Sequence, residues 1–321
     1  MVDCTIIGAG ISGLLAAKML SDAGLTVQVL EKGRGLGGRM ATRRRNGAIF
    51  DHGAQFFTVR DQRFATWVER WKSHGLVDTW YDLEKSGRHY RGVPGMTGIA
   101  KQLSEGIDVH RETLVKKVFY SLSEKRWTVT SADDEVFESR ALITTAPIPQ
   151  SLALLTESEV FIPEKQRQQL ASIRYHRCIA AMAILDRPSP ITEHNGALKL
   201  GGEPIQWMAD NQRKGVSPEL PAITIHSTPN FAETHWDTPN DERVPLLLEA
   251  ASPHLGEAKI ISYDGHRWGF SQPASAFGEE AYIDASIRLA IAGDGMTGGR
   301  VEGAAISGIA AAKKIKKLLL D

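Results

Sequence analysis

Three glycines in the run Gly8-Ala9-Gly10-Ile11-Ser12-Gly13 have the spacing that lets a backbone cradle a pyrophosphate. The first suits a tight turn, the second lets the chain approach phosphate closely, and the third lets a helix pack on a strand. Glu31 follows 23 residues beyond Gly8. An acid at that distance can bind both hydroxyls of an adenosine ribose, and it disfavours a ribose 2′-phosphate. The chemistry implied is dinucleotide binding.

That reading requires a strand before the glycines and a helix after them. Cys4-Thr5-Ile6-Ile7 is a β-rich run suited to a buried parallel strand. The spacing of Leu14, Leu15, Ala17 and Leu20 predicts a helix, with Gly24 as its C-terminal glycine. Val27–Leu30 is the second strand and ends at Glu31, which makes a βαβ opening. Further along, helices are predicted over 63–71 and 96–104. A hairpin is predicted from strands at 114–120 and 126–130, and strands at 141–145, 178–185, 222–227 and 289–292. A terminal helix runs from about 303 to 320. The two ends of the chain read as one domain, with residues 1–60, 91–150 and 266–321. Residues 61–90 and 151–265 read as another inserted into it.

Composition narrows the class. Lys+Arg and Asp+Glu both number 38, so no basic surplus exists to drive binding to nucleic acid or an anionic membrane. Two cysteines, Cys4 and Cys178, do not make a disulfide scaffold or a Cys-rich metal site. The ten histidines form no H-x-x-x-H pair, so no metal is expected. Neither Ser12 nor Ser307 sits in a G-x-S-x-G elbow. No run of about 18 apolar residues exists to span a bilayer. Glycines and Ser12 interrupt the apolar stretch from Thr5 to Leu20, which does not resemble a secretion signal. The run Lys313–Lys317 reads as a solvated helix end. The expectation is a neutral, cytoplasmic chain whose oligomeric state the sequence leaves open.

Two further segments carry a family resemblance. Glu31-Lys32-Gly33-Arg34-Gly35-Leu36-Gly37-Gly38-Arg39-Met40 resembles the glycine- and arginine-bearing segment that follows the ribose acid in the amine-oxidase superfamily of flavoproteins. Ala292-Gly293-Asp294-Gly295 with Arg300-Val301-Glu302-Gly303 resembles that superfamily's C-terminal flavin segment. Phe50-Asp51-His52-Gly53-Ala54-Gln55-Phe56-Phe57-Thr58 is similar to the D-x-G-A-Q-[FY]-F-T signature of renalase and its bacterial relatives. Gly92–Met96, Ile225–Thr228 and His266-Arg267-Trp268 are similar to that family as well, so the resemblance runs from residue 2 to about 312.

The resemblance implies an α/β (α+β overall) fold. A discontinuous Rossmann-type FAD-binding domain would carry an inserted mixed-sheet substrate domain, as in the amine-oxidase and p-hydroxybenzoate hydroxylase-like flavoproteins. It implies non-covalently held FAD, consistent with both cysteines lying far from 293–300. The residues implied for the cofactor are Gly8, Gly10, Ile11, Ser12, Gly13, Glu31, Lys32, Gly38, Arg39, Met40, Gln55, Phe56, Phe57, Val115, Asp294, Arg300 and Val301. The activity implied is oxidation of the 2- and 6-dihydro isomers of NAD(P) by hydride transfer to flavin, with O2 reduced to hydrogen peroxide. Such chemistry needs positioning more than a strong acid–base pair. Asn211 and His226 match the family's substrate-lining positions, Gln55 is expected beside the flavin, and Trp268 and Trp207 are candidate aromatic walls. The alternatives are a flavin-dependent amine oxidase acting on a small amine, and a flavin-binding protein without turnover.

Overall fold

The computed structural model describes residues 1–85 and 87–321. It divides into two units, both built from discontinuous chain. The first comprises Met1–Gly38, Ala100–Tyr175 and Gln272–Asp321; the second comprises Arg39–Ile99 and His176–Ser271.

In the first unit the strand Val2–Ile7 lies parallel between Val27–Glu31 and the C-terminal half of Val136–Thr144. Asp108–Arg111 and Leu289–Ile291 extend this parallel sheet on either side, and Tyr282–Asp284 adds an antiparallel edge. The inner strands are largely apolar because both faces of the sheet are covered there, whereas the edge strand Asp108–Arg111 is polar and partly exposed. Cys4, Ile6, Val29, Ile143 and Ile291 are all fully buried. The predicted hairpin forms from Val115–Ser121 and Arg126–Ser131, and continues antiparallel onto Val136–Ser139. Helix Ile11–Ser21 ends where expected, with Gly24 at φ +83° donating its N–H to the Ser21 carbonyl. It packs against the terminal helix Val301–Leu320 at very close range: a Cβ on Gly308 would stand 2.1 Å from the Ser12 carbonyl oxygen.

The second unit has a sheet ordered Ala197–Lys199, Ile205–Asp210, Ala222–Ser227, Tyr175–Leu185 and Ile260–Pro273. The first three pairings are antiparallel. Side chains alternate between its faces. Ile179, Ala181, Ile223 and Ile225 pack with Val244 and Leu247 of helix Asn240–Ala251. Met182, Ile184 and Ala222 meet Ala48 and Phe50 of the hairpin Thr42–Arg45/Ala48–Asp51. That alternation places Thr224 and His226 on the face carrying the hairpin. A second hairpin, Val77–Leu83/Gly87–Gly92, belongs to the same unit.

The unit boundaries differ from those read in the sequence. Residues 39–60, 91–99 and 266–271 fall in the second unit, whereas 151–175 fall in the first. The hairpin at 42–51 contributes Phe50 to the second unit's core. Leu155, Leu170 and Ile173 pack with Leu142 and Ile291 of the first.

Candidate active site

The glycine motif forms as its spacing requires, and each glycine has a separate reason. Gly8 turns at φ +103°, and a Cβ on Gly13 would lie 2.0 Å from the Gly8 carbonyl oxygen. Gly10 differs, because no heavy atom lies within 4 Å of the Cβ it lacks. The chain is open over Gly10, which also begins helix Ile11–Ser21 without any side-chain cap. A helix N-terminus in that condition offers N–H donors and partial positive charge to phosphate. Ile11 is buried beside it. Ser12 Oγ is buried and has no hydrogen-bond partner among the described residues.

Glu31 is buried at the end of its strand. Its two carboxylate oxygens accept the N–H groups of Ala9 at 2.8 Å and Gly33 at 2.7 Å. This holds the two glycine-rich loops together, as does the bond from Gly37 N–H to the Ala9 carbonyl at 2.8 Å. Each oxygen keeps a second lone pair for a ligand hydroxyl. A Cβ on Gly38 would lie 3.6 Å from Gly10 Cα. Lys32 is exposed and its Nζ lies 3.4 Å from Gln150 Oε1, while Val115 is half-buried at the start of its strand.

At the same edge of this sheet, where Gly8 and Gly293 both face Thr145, buried Asp294 accepts the Tyr175 hydroxyl at 3.1 Å and opens the one-turn helix Asp294–Thr297. Arg300, exposed and at φ +78°, precedes Val301, the first residue of the terminal helix. The open space over Gly10, the unpartnered Ser12 hydroxyl and the acid at the strand end fit the pyrophosphate and ribose of a flavin dinucleotide.

The second unit gathers Gln55, Asn211, His226 and Trp268 around one polar network. Its centre is Asp51, which is fully buried. Asp51 Oδ1 accepts the Thr42 hydroxyl at 2.6 Å and the Met96 N–H at 2.9 Å, and Oδ2 accepts from Lys214 Nζ at 2.8 Å. Lys214 Nζ also reaches Gln55 Oε1 at 3.4 Å and lies 4.7 Å over the Trp80 ring. Gln55 donates its amide to the carbonyls of Asp51 and Gly53.

His226 and Trp268 meet at the next residue, His52, whose carbonyl oxygen accepts from His226 Nε2 at 3.0 Å and Trp268 Nε1 at 2.9 Å. A carbonyl only accepts, so His226 carries its proton on Nε2 and presents Nδ1 as an acceptor. The His52 ring lies 5.2 Å from the Trp268 ring and 5.0 Å from that of His266, and its buried Nδ1 has no partner among the described residues. Burial is the main cause that lowers all three histidines, His226 to about 4 and His52 to about 3. At neutral pH the group is uncharged. Burial also lowers Lys214, against the opposing pull of Asp51.

Other expected residues sit differently. Asn211 is fully buried, with its amide donated to Thr224 Oγ1 at 2.9 Å and the Ala222 carbonyl at 3.4 Å. Its Oδ1 accepts the Asp51 N–H at 3.3 Å, so the carboxamide is engaged inside the protein. The Phe57 ring is buried between Tyr90 and Phe64, and its N–H and carbonyl pair with Tyr90. Both are interior packing positions. Phe56 is half-buried in an aromatic cluster with Trp80, Tyr81, His89 and Trp207. Met40 is buried, and Arg39 donates Nη1 to the Phe270 carbonyl at 3.1 Å. The sequence reading assigned no role to Lys214 or Asp51. Asp51 lies inside the renalase-like segment Phe50–Thr58, but Lys214 carries no local signal.

Among the described residues no helix is long and apolar enough to cross a membrane, and no cluster of His, Cys, Asp or Glu is arranged to hold a metal. Residues 6–71 match the model of an NAD(P)-binding Rossmann-like domain, and residues 64–316 match that of flavin containing amine oxidoreductases. The chain is 23% identical to renalase of Mus musculus over 339 aligned positions, covering 98% of both chains. Among solved structures it resembles cyclohexylamine oxidase from Brevibacterium oxydans IH-35A, with TM-score 0.77, 15% identity, and coverage of 98% and 99% of the two chains. It also resembles wild-type putrescine oxidase bound to putrescine, with TM-score 0.72, 16% identity and 98% of both chains covered. At those identities the structural matches establish the fold. The family match spans most of the chain, and with it the cofactor is FAD and the protein an oxidoreductase: the chain belongs to the flavin-containing amine oxidoreductase family.

Proposed function

We propose that this protein is an oxidase of the renalase type, converting 2- and 6-dihydro isomers of NAD(P) to NAD(P)⁺ with reduction of O2 to hydrogen peroxide. The observation that carries the reading is the neutral polar group around the His52 carbonyl. His226 Nδ1 is an acceptor suited to the N–H of a nicotinamide carboxamide, and Trp268 offers a flat apolar wall beside it. The nearby carboxylate, Asp51, is already paired with Lys214, so this group offers a protonated amine no free counter-charge.

FAD, when bound, supplies the hydride acceptor and the route of electrons to O2. The residues proposed to hold it are Gly10, Ser12, Glu31, Asp294 and Arg300, without a covalent bond. Asn211 serves by holding Asp51 rather than by touching substrate. His226 and Trp268 orient the ring, and hydride transfer gains from that orientation without a proton-transfer catalyst.

The second reading, oxidation of a small primary or secondary amine, is favoured by the half-buried aromatic cluster of Phe56, Tyr81 and Trp207. Anaerobic stopped-flow measurement of flavin bleaching with 2-, 4- and 6-dihydro-NAD(P) and a panel of amines separates the two. The renalase-type reading expects rapid bleaching by the 2- or 6-dihydro isomers, and bleaching by amines alone would overturn it. Acid precipitation should leave the yellow colour in the supernatant; colour retained in the pellet would overturn the non-covalent assignment.

A further inference from the structure

We infer that Lys214 is a positioning residue for the segment Asp51–Gln55, acting through the Asp51 carboxylate; the inference rests on the oxidase reading above. Both side chains are wholly excluded from solvent, with Nζ 2.8 Å from Oδ2. Lys214 therefore touches neither solvent nor a ligand, and its effect must pass through its partners.

Such a pair needs a reason to exist. Removing two ions from water is costly, and a buried ion pair is commonly no more stabilising than apolar residues of the same volume. What it adds is direction. All polar atoms of Asp51 are fixed by other segments. Its carboxylate binds Thr42, Met96 and Lys214, its N–H binds Asn211, and its carbonyl accepts from Thr224 Oγ1 and Gln55 Nε2. Lys214 Nζ also orients Gln55 by taking its Oε1, which leaves the amide nitrogen for the carbonyls of Asp51 and Gly53.

His52 lies between those two anchored residues, and its carbonyl is the acceptor for both His226 and Trp268. The charge on Lys214 thus fixes the atom that fixes the ring-orienting side chains. A neutral pair would still fill the space but would let residues 51–55 settle elsewhere.

The test uses the FAD-loaded enzyme and the double variant Asp51→Asn/Lys214→Met, which removes both charges together and so leaves no unpaired ion buried. The expected result is unchanged FAD content, a cooperative melt with a Tm within several degrees of wild type, and flavin reduction by 6-dihydro-NAD slowed about 10- to 100-fold, the scale of a misplacement of about 1 Å. Reduction by dithionite should match wild type. A wild-type rate with 6-dihydro-NAD in the double variant would overturn the inference.

Lys214→Arg keeps the charge and guards against a double variant that does not fold. Its planar fork cannot reproduce the ammonium geometry, and it should slow the same step about tenfold at wild-type FAD content; a wild-type rate here would also overturn the inference. Failure of both the 2- and the 6-dihydro isomers of NAD(P) to reduce wild type would instead remove the oxidase reading. Hydrogen–deuterium exchange of peptides covering 47–57 and 205–217 then decides the positioning role. Exchange should be faster in the folded variant than in wild type, and unchanged exchange would overturn it.

Discussion

His226 and Trp268 share one hydrogen-bond acceptor, the carbonyl oxygen of His52, at 3.0 Å and 2.9 Å. The shared acceptor sets the histidine tautomer and the plane of the indole together. It also ties them to Asp51, one residue away in the chain, where Lys214 and Asn211 converge.

The two polar side chains first expected at the substrate should therefore fail differently. His226→Ala should slow flavin reduction by about 10- to 100-fold at normal FAD content and nearly normal Tm. Asn211→Ala leaves the Asp51 N–H buried without its partner, which costs about 1–3 kcal/mol. That variant should lose both rate and several degrees of Tm. Stopped-flow reduction and thermal melts of the two proteins check the contrast, and equal Tm values would return Asn211 to the substrate.

Two neighbouring glycines should separate binding from folding. Gly10→Ala places a methyl in open space, so the apo protein should keep its Tm while FAD affinity falls sharply. Gly13→Ala drives a methyl to 2.0 Å from the Gly8 carbonyl oxygen, and should yield little folded protein. Melting curves of the apo proteins and FAD titration provide the readouts.

Glu31→Gln keeps the shape of the side chain but turns one accepting oxygen into a donor. One of the loop N–H groups of Ala9 and Gly33 loses its acceptor, along with the charge that would meet the ribose. Hydrogen bonds to charged groups contribute about 1.5–3 kcal/mol, so the FAD dissociation constant should rise by roughly ten- to a hundredfold. An unchanged constant would place the ribose elsewhere.

The lowered histidines set a pH dependence with a definite sign. Unfolded His52 and His226 take up protons near pH 6.5, whereas the native groups, lowered chiefly by burial, wait until about pH 3 and about pH 4. Above pH 6.5 neither state binds these protons and the histidines are neutral to stability. Between about pH 6.5 and 4 the unfolded state binds more, so stability falls as pH falls, by up to about 1.4 kcal/mol per pH unit for each histidine. Tm measured from pH 7.5 to 4.5 should drop less in His52→Gln than in wild type. Flavin reduction should stay flat from pH 8 to about 5.5, because His226 remains neutral throughout; a loss centred at pH 6.5 would make it a base.

What the sequence determined by itself lies close together along the chain. The glycines at 8, 10 and 13, the strand before them, the helix after them and Glu31 all fall within one βαβ unit, so local turn geometry and apolar periodicity were enough to read them. The hairpin at 115–131 was legible for the same reason, since its strands are joined by a short turn. The tertiary structure alone decided the rest. Asp51 and Lys214 are 163 residues apart, and a Lys beside Gln212 and Arg213 has the local pattern of a solvated turn until the fold removes water from it. Residues 39–60 follow directly on the second glycine-rich segment, Gly33–Gly38, yet the hairpin within them finds its apolar partners, Met182, Ile184 and Ala222, on the second unit's sheet. Asn211 matched a substrate-lining position, but strand pairing beside Ala222 and Thr224 turned its amide inward. In each case the deciding contact joins segments distant in the chain, where spacing and composition carry no trace of the partner.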